Sequence, residues 1–181
     1  MYDRDWQRGS IITPTTLAPG ESAVRPPVNP RLISAAEFMD NYVDYTELEE
    51  GRIVELTVPH RKHGSVNFEF ILAVGQFNKD NQLGRAFTRD TFVVTKSNPD
   101  SVRGMDFAFI GYKRWPKDVE YVDGPVPMPP DLIAEIRSPT DRPGAVNEKV
   151  NEYLAIGVPV VAVIDLKAKV VTVHRNQFAD R

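Results

Sequence analysis

Three acidic residues stand inside stretches that otherwise read as apolar β-strands: Glu47, Asp106 and Glu135. A carboxylate in a strand core costs several kcal/mol unless it is paired or holds a cation. Glu135 falls within the run Leu132 to Ile136, and Asp106 within Met105 to Ile110. Side chains alternate along a strand, so Glu135 projects with Arg137, and Asp106 projects with Ala108, a residue small enough to leave room for an ion. If these two strands pair, the two acids meet. Carboxylate oxygens are the donors Mg²⁺ and Mn²⁺ prefer, and one or two of them with waters suffice for Mg²⁺. Taken singly, each acid reads as an ion-paired or edge-strand residue. Taken together, Asp106 and Glu135 read as a divalent-metal site.

The elements around them follow from periodicity. Val146, Val150, Tyr153 and Leu154 recur at i, i+4, i+7 and i+8, one face of a helix. Gly157 stands where a helix-ending glycine belongs, with Pro159 just beyond. Val158 to Leu166 and Val170 to His174 then read as two strands around a Lys167-Ala168-Lys169 turn. Upstream, Ser34 and Glu37 form a capping box, which predicts a short helix over 35–42. Tyr45 to Leu48 and Ile53 to Val58 flank Glu49-Glu50-Gly51 and read as a hairpin, with Glu47 in one arm and Glu55 in the other. His63 to Asp80 carries Val66, Phe70, Val74 and Phe77 at helical spacing, and Gly84 follows. Thr91 to Thr95 is a short strand, and Gly111 to Pro130 is loop, with prolines at 116, 125, 127, 129 and 130. The resulting order, α-β-β-α-β-β-β-α-β-β, points to an α+β fold with a mixed central sheet flanked by helices.

Composition sets outer bounds. A chain of 181 residues suits one domain with a real core. Prolines 14, 19, 26, 27 and 30 make residues 1–31 an N-terminal tail or an arm laid along a partner subunit, and 32–181 the domain. There is no cysteine, which removes disulfides, zinc thiolates and a thiol nucleophile and fits a reducing cytoplasm. No apolar run approaches the ~20 residues of a membrane helix. Asp3, Arg4, Asp5 and Arg8 leave no apolar h-region for a secretory signal. A formal charge of −3 argues against coating nucleic acid through bulk charge, though not against a metal-dependent nuclease, whose site is itself acidic. The glycines form no phosphate-cradling pattern.

Other residues carry weaker signals. His63, beside Arg61 and Lys62 at a helix start, reads as a solvated or capping histidine before it reads as a ligand or proton carrier; His60 and His174 have smaller claims. Arg61, Lys62, Arg85, Arg89, Lys96 and Arg103 are candidates for a basic DNA-facing surface, but read first as a solvated face. Trp115 is placed against the sheet or a partner rather than on a nucleic-acid base.

The run Glu135 to Thr140 (EIRSPT), Glu148-Lys149, Tyr153, Gly157 to Pro159 (GVP) and the closing VVAVIDLKAKVVTVHR together resemble the Uma2 family, also called DUF820, of the PD-(D/E)xK nuclease superfamily. SAAEFMD looks like that family's opening helix, YTELEEGRIVE its hairpin, the His63 helix its histidine-led helix, and GMDFAFI its aspartate strand, with Gly104-Met105 in place of the usual apolar-proline lead-in. The resemblance spans residues 33–175 and implies a restriction-endonuclease-like fold, a homodimer, nucleic acid (DNA) as partner and Mg²⁺ or Mn²⁺ as cofactor. It implies that Asp106 and Glu135 bind the metal with the backbone carbonyl of Ile136. Glu47 is then an outer or second-metal ligand, and Lys149 replaces the missing strand lysine. Where the superfamily motif has that lysine, this chain has Arg137. Arginine cannot act as a base, but it can hold a phosphate. The expected activity is metal-assisted phosphodiester hydrolysis. The rival is a non-catalytic relative that keeps the fold as a binding or assembly module, and a third reading makes the acids structural ion pairs of an unrelated domain.

Overall fold

The chain is described here from a computed structural model, which defines residues 31–58, 61–138, 141 and 144–176. The expected tail (residues 1–30 of it) and His60 lie outside the described residues.

Helix α1 (Ala35–Asp40) is capped as its sequence predicts, the Ser34 hydroxyl accepting the Glu37 N–H at 3.1 Å. Strands β1 (Thr46–Glu49) and β2 (Arg52–Glu55) form the hairpin. Its turn needs positive φ at Glu50 (47°) and Gly51 (74°), and a Cβ on Gly51 would come within 2.8 Å of Leu32. Helix α2 (Arg61–Asn81) leads into a long hairpin of β3 (Gly84–Lys96) and β4 (Ser101–Gly111). Then come β5 (Leu132–Arg137), α3 (Ala145–Ala155), β6 (Val160–Asp165) and β7 (Val170–Arg175). The element order is the one the sequence predicts.

These strands form one mixed seven-stranded sheet, ordered β2-β1-β4-β5-β6-β7, with β3 along the other edge of β4. Among the described strands only β5 and β6 are parallel, joined by α3 as the crossover. The two long helices cover opposite faces. Val150 and Tyr153 of α3 pack with Ala108, Ile133, Val161 and Val163; Phe70, Ile71 and Val74 of α2 pack on Phe107, Ala134 and Ala162. The fully buried Phe107, Ile133, Val150 and Val161 each stabilise the fold by about 1.5–3 kcal/mol.

The C-terminus of α3 fixes one side chain that matters below. Gly157 adopts φ 96°, its N–H bonds the Leu154 carbonyl at 3.1 Å, and the Val158 N–H reaches back to the Tyr153 carbonyl at 3.0 Å. This paired closure needs the glycine and locks the last turn.

Two sequence expectations are corrected. Strand β3 starts at Gly84, seven residues before the predicted Thr91. Its first half escapes a hydrophobicity reading because Arg85 is buried there. Arg85 lies over Trp115 (4.7 Å) and Tyr121 (4.3 Å) and donates to the carbonyls of Pro116, Lys117 and Val119. Arg103 is likewise buried, so neither belongs to a basic surface. Trp115 is 6 % exposed and stacked on Phe87, as the packing reading expects.

Candidate functional site

Strand β4 changes neighbours along its length. It pairs with β1 at Val102 and with β5 only from Phe107 onward. Between those points the sheet forks, and the backbone of β4 on that side has no strand partner. Glu47 on β1, Asp106 on β4 and Glu135 on β5 converge at this fork. Continuing the Phe107↔Ala134 register by one step sets Asp106 opposite Glu135.

Side chains satisfy what the fork leaves open. Glu47 Oε1 accepts the Gly104 N–H at 2.9 Å, while Lys149 Nζ and the Tyr153 hydroxyl both approach the Gly104 carbonyl at 3.2 Å. Asp106 Oδ2 accepts the Ile136 N–H at 2.8 Å. The sequence element that makes this possible is Gly104, since a Cβ there would point at the Phe92 ring and Glu47.

Lys149 ties the acids together, 2.5 Å from Glu47 and 3.8 Å from Glu135. The Tyr153 hydroxyl lies 2.8 Å from Glu135 Oε1. With one proton it donates either to Glu135 or to the Gly104 carbonyl. Behind them Arg103 grips Glu152 through two contacts of 2.8 Å, and also reaches Glu49 at 2.6 Å and Glu47 at 3.2 Å. His63 stands 3.3 Å from Asp106.

The electrostatics follow from burial. Glu135 is pushed up to about 8, first by burial and then by the Asp106 and Glu47 carboxylates; Lys149 and the Tyr153 hydroxyl only partly oppose this. Lys149 is raised, because Glu135 and Glu47 outweigh the cost of burying its charge, so it keeps its proton at neutral pH. His63 is raised chiefly by its hydrogen bond to Asp106. Arg103 and Thr95 hold Glu152 down at about 2 despite burial.

These groups open onto a cleft of about 260 Å³, whose lining includes Glu47, His63, Arg89, Arg103, Asp106, Glu135, Ile136 and Lys149. Of the predicted site residues, Arg137 is not brought there. It is half-exposed and faces Asp165 across the β5–β6 pair at 3.4 Å. Glu47 has both oxygens engaged by Arg103, Gly104 and Lys149. That leaves Asp106, Glu135 and the Ile136 backbone as the donors a divalent ion could use. Among the described residues no three His, Asp or Glu side chains gather as a ready-made ion cage. His63 is 8 % exposed and turned to Asp106, not solvated. The signal that could have found it is that helical spacing puts His63 on the buried side of α2 with Phe70 and Val74. Arg103 was visible in the sequence only as one charge of many, and Tyr153 as an apolar helix position and one residue of the family resemblance, with no role given to its hydroxyl.

A family model for Uma2, described as "Putative restriction endonuclease", matches residues 39–181. The chain belongs to the Uma2 family. Its fold is similar to a solved structure described as "a putative nuclease belonging to DUF820" from Anabaena variabilis ATCC 29413, at 25 % identity and a TM-score of 0.67, covering 80 % of each chain. No curated protein matches. The matched span of this Uma2 chain includes the hairpin acid, the β4 aspartate, the β5 glutamate and the α3 lysine, all of which face the fork. No described helix is long and apolar enough to cross a membrane.

Proposed function

We propose that this Uma2 protein is a divalent-metal-dependent endonuclease that hydrolyses phosphodiester bonds of nucleic acid, with DNA as its substrate. The observation that carries this reading is the Asp106–Glu135 pair at the sheet fork, with Lys149 and Tyr153 against Glu135. The donor set fits a hard cation: Glu135 is a buried carboxyl whose surroundings leave its negative charge undercompensated. Asp106, Glu135 and the Ile136 carbonyl would hold Mg²⁺ or Mn²⁺, which when bound polarises the phosphoryl oxygen and lowers the pKa of water. Lys149 keeps its proton, so it orients and polarises the attacking water instead of deprotonating it. Tyr153 fixes the Glu135 carboxylate, and Glu47 holds Lys149 in place. His63 donates to Asp106 and sets the orientation of that carboxylate.

A homodimer and a cytoplasmic location belong to the same proposal. The edge strand β7 exposes Val170, Val171 and Val173, a surface suited to a second copy, and the cysteine-free sequence suits a reducing compartment.

The test is cleavage of supercoiled and linear DNA with Mg²⁺ or Mn²⁺, comparing wild type with Asp106→Asn and Glu135→Gln. Cleavage in wild type that needs the metal and falls at least a hundredfold in both variants supports the reading. A second reading, a non-catalytic assembly module, is favoured by Lys149, which already supplies a counter-charge to Glu47 and Glu135. Metal-bound protein that cuts neither DNA nor RNA would establish it.

A further inference from the structure

The β3–β4 ladder is regular from Gly84↔Gly111 to Thr88↔Phe107 and resumes at Thr91↔Met105. Two residues of β3, Arg89 and Asp90, therefore oppose one residue of β4, and that residue is Asp106. A bulge of this kind re-aims a side chain and is common beside active sites. Here it turns Arg89 into the cleft, where its guanidinium carbon lies 4.5 Å from the centre of the Tyr45 ring. Tyr45, in the turn just before β1, has φ 62°, in the left-handed region that non-glycine residues rarely adopt. Two irregularities, a bulge in β3 and a left-handed residue in the turn before β1, thus place one arginine over one ring at the cleft.

The other cleft cations are committed. Arg103 is held by Glu47, Glu49 and Glu152, Lys149 by Glu47 and Glu135, and His63 by Asp106. Arg89 is exposed and has no acidic partner among the described side chains. It is also close enough to His63 to oppose that residue's proton. An arginine over an aromatic face keeps its N–H edge free, and that planar edge matches a phosphate through two parallel hydrogen bonds.

Given the nuclease reading above, we infer that Arg89, held over Tyr45 by the bulge opposite Asp106, binds a phosphate of the nucleic-acid strand next to the one positioned at the acid pair. The role expected of Arg137 passes to Arg89, and Tyr45 is its positioning residue.

The test is metal-free binding of a fluorescein-labelled DNA oligonucleotide, single-stranded and duplex, read by anisotropy over a range of salt concentrations. The proteins are wild type, Arg89→Ala, Arg89→Lys, Tyr45→Ala and Arg137→Ala. Arg89→Ala should weaken binding about tenfold or more and lower the log–log salt slope by about 0.7 on single strands or 0.9 on duplex. Arg89→Lys should keep the slope with intermediate affinity, Tyr45→Ala should weaken binding without changing the slope, and Arg137→Ala should bind as wild type. Wild-type affinity and slope in Arg89→Ala would overturn the inference and leave the nuclease reading standing. Wild type that binds neither oligonucleotide would also overturn the inference, while the nuclease reading is decided separately by metal-dependent cleavage.

Discussion

Glu135 decides the behaviour of the metal-free site. Its pKa is raised from 4.5 to about 8, so this carboxyl stabilises the fold below pH 4.5, and that contribution is lost as pH rises toward 8. About 1.4 kcal/mol per tenfold change in proton affinity sets a ceiling of about 5 kcal/mol on the loss. In chelator, urea unfolding of wild type should therefore show falling stability from pH 5 to 8, and Glu135→Gln should flatten that fall and be the more stable protein at pH 8. An unchanged slope in Glu135→Gln would show that the charge is compensated some other way. Lys149→Ala should destabilise by about 3–5 kcal/mol in the same assay, because it takes the cation from buried Glu135 and leaves Glu47 with Arg103 alone. The acids themselves were legible in the sequence because carboxylates in apolar strands are anomalous. Arg103 was not, and His63 was singled out but read first as solvated, since histidine and arginine beside other charges look ordinary until the fold buries them.

The element that matters most is the stretch of β4 between its two neighbours. Both hydrogen-bonding groups of Gly104 are met by side chains there, so the fork is held open by Glu47, Lys149 and Tyr153. Tyr153→Phe removes one hydroxyl without changing the packing of α3. It should cost about 1–3 kcal/mol of stability, measured by chemical unfolding, by leaving buried acceptors short of a donor. Helix α3, its glycine closure and both flanking strands could be read from periodicity and stop signals. Strand β3 could be read only from Thr91, because Arg85 breaks the apolar pattern and is paid for by carbonyls some thirty residues later. Arg85→Ala should accordingly destabilise by about 2–4 kcal/mol, since it orphans those carbonyls and uncovers Trp115; a change under about 0.5 kcal/mol would contradict that account.

At the scale of the whole molecule, the mixed sheet places three acids from three strands at one fork, between helices on opposite faces. The order of elements was legible because each is locally consistent in period and punctuation. The fork was not, because it depends on which strand β4 meets at each end, a long-range register that no local window contains. On the proposed function, this fork holds a divalent cation through Asp106 and Glu135. The direct measurement is the thermal unfolding midpoint with and without saturating Mn²⁺, on wild type and Glu135→Ala. Ion at ~100 times its dissociation constant adds about 2.7 kcal/mol, a rise of about 5–10 °C for a chain of this size, which should appear in wild type and vanish in the variant. An equal rise in both proteins, or none in wild type, would contradict the claim.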